Sequence, residues 1–377
     1  MVASSKQLPV RIVWLVALAG VGLVGSGAAP RAGKVRTYYI AADQVAWDYV
    51  PGGRNDISGT PFQDTAFFRD APPRPVSTVY QKVLYREYTD STFRTLKPRP
   101  AEWEHLGFLG PLIRGEVGDT IRVVFKNNAD RPYSVHAHGV FYTKDSEGAP
   151  YDDGSAGRDK SGDRVAPGGA HVYVWPVPER SGPGPDEGSS VMWMYHSHVD
   201  ETRDINSGLL GVMLITARGK ARPDGSPVDV DREVVAEFAQ VHEEDGWLAE
   251  KNLPLDLGKN VPVPNPSQRQ NLYPYFVTFS INGFTHGALP LRSFTFKKGE
   301  RVRWYLMAST NDFDAHTPHW HGNTVLMHGM RTDVTSLLPM EMVVADMRPD
   351  NPGTWLFHCH LSFHNAAGMA ARYAVVQ

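Results

Sequence analysis

Cysteine is almost absent: Cys359 is the only one in 377 residues. A single thiol excludes any disulfide within the chain, so core burial and bound metal must hold the fold. Long apolar runs are scarce as well. The run from Ile12 to Val24 falls short of the roughly 20 residues that a permanent membrane helix takes. It follows Lys6 and Arg11 and precedes Ser26-Gly27-Ala28, the pattern of a secretory signal over residues 1–28. No Arg-Arg pair accompanies it, which argues against the twin-arginine route. A Sec-type signal leading to a secreted or periplasmic location is expected, with a retained anchor as the alternative. A strong charge of one sign is also missing. The net charge is -3, which leaves no basic field for nucleic acid.

What is present points to β-structure. Gly 35 and Pro 29, with many Val, Thr, Tyr and Phe, favour a turn-rich all-β protein with little helix. The chain also repeats itself. Arg36 to Tyr49 is echoed by Arg232 to Trp247, and Ile113 to Arg122 by Phe296 to Arg303, each of the latter pair with a glycine turn. Each half then carries His-x-His-Gly, at His136-His138 and His319-His321, and closes on a second pair, His196-His198 and His358-His360. The polar Pro/Gly stretch Gly219 to Pro227 separates the halves. Two Greek-key β-sandwich domains are expected, over residues 33–222 and 228–377.

Fifteen histidines is a high number, and eight of them stand in these pairs. On a strand, residues i and i+2 share a face while i+1 points away. In His358-Cys359-His360 both imidazoles therefore project one way and the sulfur the other. One strand thus serves two metal sites, with a short covalent route between them. His316, Cys359, His364 and Met369 supply two nitrogens, a thiolate and a weak thioether, the ligand types of a blue copper site. Eight paired histidines suit three further coppers, and neither half could hold these with its own four. Aligned on the pairs without gaps, the first half has Tyr133, Ser197, Thr202 and Ser207 at the four blue-site positions. It is expected to lack that copper.

These motifs resemble the multicopper oxidases. Tyr38 to Tyr49, Leu106 to Val117 and Tyr195 to Gly211 resemble the ceruloplasmin and hephaestin kind, while the two-domain size resembles the small laccases. The resemblance implies cupredoxin domains and four coppers per chain: one type 1, one type 2 and two type 3. It implies that dioxygen is reduced to two waters by electrons taken singly from a donor. His316, Cys359, His364 and Met369 then resemble the type 1 ligands, and His136 and His319 the type 2 ligands. His138, His196, His198, His321, His358 and His360 resemble the type 3 ligands. The cluster needs the first-domain face of one unit against the second-domain face of another, so a homotrimer with clusters between subunits is expected. Copper nitrite reductases, and a copper-storage or electron-carrier protein, are the alternatives from other classes. The first has its blue ligands in the first domain; the second needs fewer paired histidines.

Other residues carry smaller expectations. Tyr142 and Glu147 are candidates beside the cluster, Glu147 as a proton donor. Asp152, Asp153, Asp159 and Asp163 form an oxygen-rich loop, read as solvated in preference to calcium-binding. Asp312 and Asp314 precede His316. Met327, Met330, Met340, Met342 and Met347 form a Met-rich stretch, either soft Cu(I) ligands or core filler. His105, His171, His242, His286 and His328 read as surface or packing residues. Ceruloplasmin-type ferroxidases have an acid before the second type 1 histidine, where this chain has Phe363. Nor does Tyr273-Pro274-Tyr275-Phe276, ahead of Ile281-Asn282-Gly283, offer the expected Glu and His. A laccase-like oxidase of phenolic donors is therefore the leading expectation, with Fe(II) or Cu(I) as the alternative donor.

Overall fold

A computed structural model describes residues 33–62, 77–185, 187–257, 276–309 and 315–377, with Asn265, Ser267 and Gln268 between them. The signal at 1–28, residues 273–275, Asp312 and Asp314 lie outside the described residues. Strand patterning follows the pleat. In Thr120–Asn127, Ile121, Val123, Phe125 and Asn127 are buried and the intervening residues are half-buried.

One sheet runs in the order Val79–Tyr88, Val35–Asp48, Thr120–Asn127, Ala170–Pro176. A second runs Ile113–Glu116, Leu210–Thr216, Ser190–His196, His136–Ala137. Ile40, Val83 and Phe125 of the first sheet share a core with Ile113, Tyr195 and Met213 of the second. The later half repeats the plan. Its first sheet begins Val277–Ile281, Arg232–His242, Val302–Ala308, Met342–Met347, and its second runs Thr295–Lys297, Ala370–Val376, Gly353–Cys359, Pro318–Trp320. Phe238, Trp304, Phe357 and Tyr373 lie in that core.

The repetition extends to strand direction. Val35–Asp48 runs parallel to Thr120–Asn127, and Arg232–His242 runs parallel to Val302–Ala308. Ile113–Glu116 and Leu210–Thr216 are parallel, as are Thr295–Lys297 and Ala370–Val376. Parallel neighbours in otherwise antiparallel sheets come from the crossing connections of a Greek key. Gly118 (φ 101°) and Gly299 (φ 81°) make the matching turns, in a backbone region that side chains rarely enter. The expected internal repeat is thus present in register.

Residues 33–377 form one compact unit. Between the two sandwiches lies a third apolar cluster, where Met194, Leu210 and Val212 meet Val235, Tyr305 and Met307. Polar ties cross the same seam: Arg114 Nη2 donates to Glu233 Oε2 at 2.6 Å, and Val235 N to His105 Nε2 at 3.2 Å. Burial pushes the His105 pKa down to about 3, so it stays a neutral acceptor. Helices are few among the described residues: Glu201–Asn206, Ala249–Leu257 and Ser362–Ala366. None is long and apolar enough to cross a membrane. The first and third each follow a His-x-His pair.

Candidate metal centre

Strand Gly353–Cys359 carries both chemistries at its C-terminal end. His358 and His360 lie on one side with rings stacked at 5.7 Å and 28°. Cys359 points the other way into the core, fully buried with His316, His364 and Met369. Its Sγ lies 3.4 Å from His364 Nδ1 and 4.0 Å from His316 Nδ1, and those two nitrogens are 3.2 Å apart. Thr317 N donates to the sulfur at 3.3 Å, which favours thiolate. The Cys359 backbone N donates to the Met369 carbonyl at 3.1 Å, so the thioether residue lies beside the strand end. Two converging imidazole nitrogens and a buried sulfur fit a soft metal ion such as copper.

The paired histidines form two sets of four. In the first, His136, His138, His196 and His198 have ring centroids 5.2–5.6 Å apart. In the second, His319, His321, His358 and His360 lie within 4.8–5.7 Å. Backbone carbonyls orient the rings identically. His136 Nδ1 donates to Glu147 O at 2.7 Å, His196 Nδ1 to Ser197 O at 3.0 Å, His319 Nδ1 to Asp333 O at 2.8 Å, and His358 Nδ1 to Cys359 O at 2.8 Å. Each bond fixes the tautomer and leaves Nε2 as a lone pair turned toward its neighbours. His138 Nε2 and His196 Nε2 approach to 3.0 Å, and His321 Nε2 and His358 Nε2 to 3.2 Å. Such a gap requires a proton or a cation between the nitrogens. Burial, with the neighbouring imidazoles adding, lowers His196 to about 3 and His138 to about 4. Burial also lowers His358 to about 4. At neutral pH these lone pairs are therefore available to metal.

Each set has an open side. His321 and His360 are exposed and His136, His138 and His198 half-buried. Among the described residues no ring contact joins one set to the other.

The first half rebuilds the blue-site position, and here the ungapped alignment needs correcting. Met369 N donates to His364 O at 2.9 Å and Cys359 N to Met369 O at 3.1 Å. The matching bonds are Leu209 N to Asp204 O and Ser197 N to Leu209 O, both at 3.1 Å. Asp204 and Leu209, not Thr202 and Ser207, therefore stand where His364 and Met369 stand. The helix Glu201–Asn206 belongs to a connection two residues longer than its counterpart. Asp204 is fully buried and accepts from Ser197 Oγ (2.6 Å), Val199 N (3.0 Å), Asp200 N (3.2 Å) and Trp247 Nε1 (2.8 Å). A hydrogen-bonded carboxylate therefore stands in the first half where the second has the His364 imidazole.

Glu147 reaches His136 through its carbonyl; its carboxylate is held by Lys144 and Tyr151. Tyr142 lies 5.8 Å from the His136 ring. In the acidic loop, Asp153 bridges Lys144 (2.5 Å) and Lys160 (2.8 Å), with Asp163 3.4 Å from Lys160. Lysines already occupy it. The methionine stretch divides, with Met347 in the core and Met330 exposed. Sequence reasoning missed Glu201, whose carboxylate lies 3.7 Å from His198 Nε2 and 4.0 Å from His196 Nε2. Its i+3 spacing from His198 at a helix start was the available signal. It also missed Gln240, whose Nε2 is 3.3 Å from His364 Nε2.

Family models described as multicopper oxidase match residues 105–220 and 260–377. Human ferroxidase HEPHL1 is 39% identical over 98% of this chain and 31% of its own length. Rat ceruloplasmin is 36% identical over 90% of this chain and 31% of its own. The chain thus spans about a third of the length of these relatives. Among solved structures, the blue copper oxidase from Nitrosomonas europaea aligns with a TM-score of 0.55 at 15% identity, covering 91% of this chain and 86% of that one. That likeness carries the fold, two β-sandwiches of the cupredoxin type.

Proposed function

Because the chain belongs to the multicopper oxidase family, we propose that it oxidises a metal-ion donor one electron at a time and reduces dioxygen to two waters. The observation that carries this reading is the run His358-Cys359-His360, whose sulfur faces one ligand set while its imidazoles belong to another. Copper, when bound, supplies reversible one-electron chemistry and the centre at which dioxygen is reduced. His316, Cys359, His364 and Met369 would hold one ion. His136 and His319 would hold the type 2 ion, and His138, His196, His198, His321, His358 and His360 the type 3 pair, giving four per chain. The domains are read as residues 33–222 and 228–377.

Each set of four histidines has one open side, which supports completion of the cluster between copies of the chain. Head-to-tail contacts of that kind close into a ring, and three copies is the number that the small-laccase resemblance implies. Val334, exposed and bridged to His319, would be covered there. Secretion, expected from residues 1–28, belongs to the same proposal.

The name ferroxidase carried by a 39% identical relative supports Fe(II) ahead of phenols as donor, so the leading expectation from Phe363 gives way to its alternative. Phenols remain a second reading on one observation: Phe363 is 36% exposed, with its ring 4.2 Å from that of His364. Oxygen uptake with Fe(II), Cu(I) and a phenol, compared on one copper-loaded preparation, tests the order. The expected result is a kcat/KM at least tenfold higher for Fe(II). A higher value for the phenol would restore the laccase-like reading.

A further inference from the structure

One further metal-ligating pair lies buried beside the Cys359 site. Strand Arg232–His242 pairs with Val277–Ile281 so that Gln240 opposes Phe279 and His242 opposes Val277. Gln240 and Phe279 both lie against His364, the amide nitrogen at 3.3 Å and the ring at 4.9 Å. Residues two apart on a strand share a face at a spacing of about 7 Å, so His242 is the next polar group along it. His242 Nδ1 lies 2.9 Å from Glu244 Oε1, with the two residues 7% and 3% exposed.

Glu244 Oε2 is buried without a hydrogen-bond partner. Leaving a buried carboxylate oxygen orphaned is unfavourable unless something beyond the protein's own groups meets it. The adjacent acid is already satisfied: Glu243 takes Lys82 Nζ at 2.5 Å, Tyr49 OH at 2.8 Å and Asn252 Nδ2 at 3.0 Å. Lys82 thereby pairs with Glu243, while Glu244 lies beside His242. Groups this buried leave no room for an organic donor. A nitrogen–oxygen gap of 2.9 Å is also close to the edge of an octahedron with bonds of about 2.1 Å.

We propose that His242 and Glu244 bind the donor itself, a divalent cation of Fe(II) chemistry, and that its electron reaches His364 through Gln240. This rests on the oxidase reading above and assigns that reading its donor site. The step balances: each Fe(II) gives one electron and leaves as Fe(III), and four such electrons with four protons convert one dioxygen to two waters. Imidazole and carboxylate suit iron, and they stand here where Phe363 offers no acid.

The test uses the copper-loaded enzyme and Co(II) as probe, whose visible absorption reports nitrogen and oxygen ligands. Wild type is expected to bind one Co(II) per chain beyond its copper, in competition with Fe(II). Glu244→Gln is expected to lose the Co(II) signal and to raise the KM for Fe(II) at least tenfold, with the blue band intact. Gln240→Leu is expected to lower kcat for Fe(II) without moving KM. Absence of a Co(II) site in wild type overturns the proposal, and that measurement stands even if Glu244→Gln fails to fold. A wild type that oxidises Fe(II) with a KM indifferent to Glu244→Gln sinks this site alone. A wild type that takes up no oxygen with any donor sinks the oxidase reading with it.

Discussion

At the scale of single residues, Cys359 bears the most consequence. Cys359→Ser keeps the small buried polar group but removes the thiolate, so the blue band and donor oxidation are expected to vanish. Metal bound by the paired histidines should remain, as read by copper content and by the absorption of the coupled pair. Retained turnover would break the proposed electron route. The candidate ligands were legible because eight histidines and one cysteine fell into fixed spacings. The first-half counterpart of the Cys359 site was legible only in part. The longer connection after His198 shifted the true counterparts to Asp204 and Leu209, and hydrogen bonds rather than spacing identified them. Asp204→Ala would orphan a hydroxyl, two backbone N–H groups and an indole, at about 3–5 kcal/mol in total. The melting temperature should fall by on the order of 10 °C, measured by calorimetry. An unchanged value would show the network to be dispensable.

At the scale of elements, strand Arg232–His242 does two jobs. Val234, Ala236 and Phe238 face the second core, while Val235 and Ala239 face the seam between the sandwiches. Period-two alternation made this strand and its counterparts legible, because a buried face specifies register. Alternation could not show that a charged residue sits on the seam face. Glu237 is fully buried, and burial raises its pKa from 4.5 to about 7, with Ser309 bonded to one oxygen. Below pH 4.5 both folded and unfolded forms are protonated and the group has no effect. Between that pH and 7 the unfolded chain ionises first, so stability falls as pH rises, by about 3 kcal/mol. Above 7 the loss is constant. Glu237→Gln should remove this decline, making the variant's urea midpoint less sensitive than wild type's between pH 5 and pH 8. Equal pH dependence in both proteins would mean that Glu237 does not titrate as buried.

At the scale of the molecule, each of two like sandwiches carries one set of four histidines, and the sequence repeat foretold that one set falls in each half. It did not foretell how firmly the sandwiches are joined. The seam mixes Met194, Leu210, Tyr305 and Met307 with the Arg114–Glu233 pair, none of it visible as a motif. Those contacts tie the two sandwiches into one compact unit. The most direct test is native mass spectrometry of the copper-loaded protein across a dilution series, with metal counted in each species and oxygen uptake followed in parallel. Trimers with four coppers per chain that reduce dioxygen, and inactive monomers that keep only the Cys359 copper, are the predicted result. Monomers that hold all four coppers and still reduce dioxygen would contradict it.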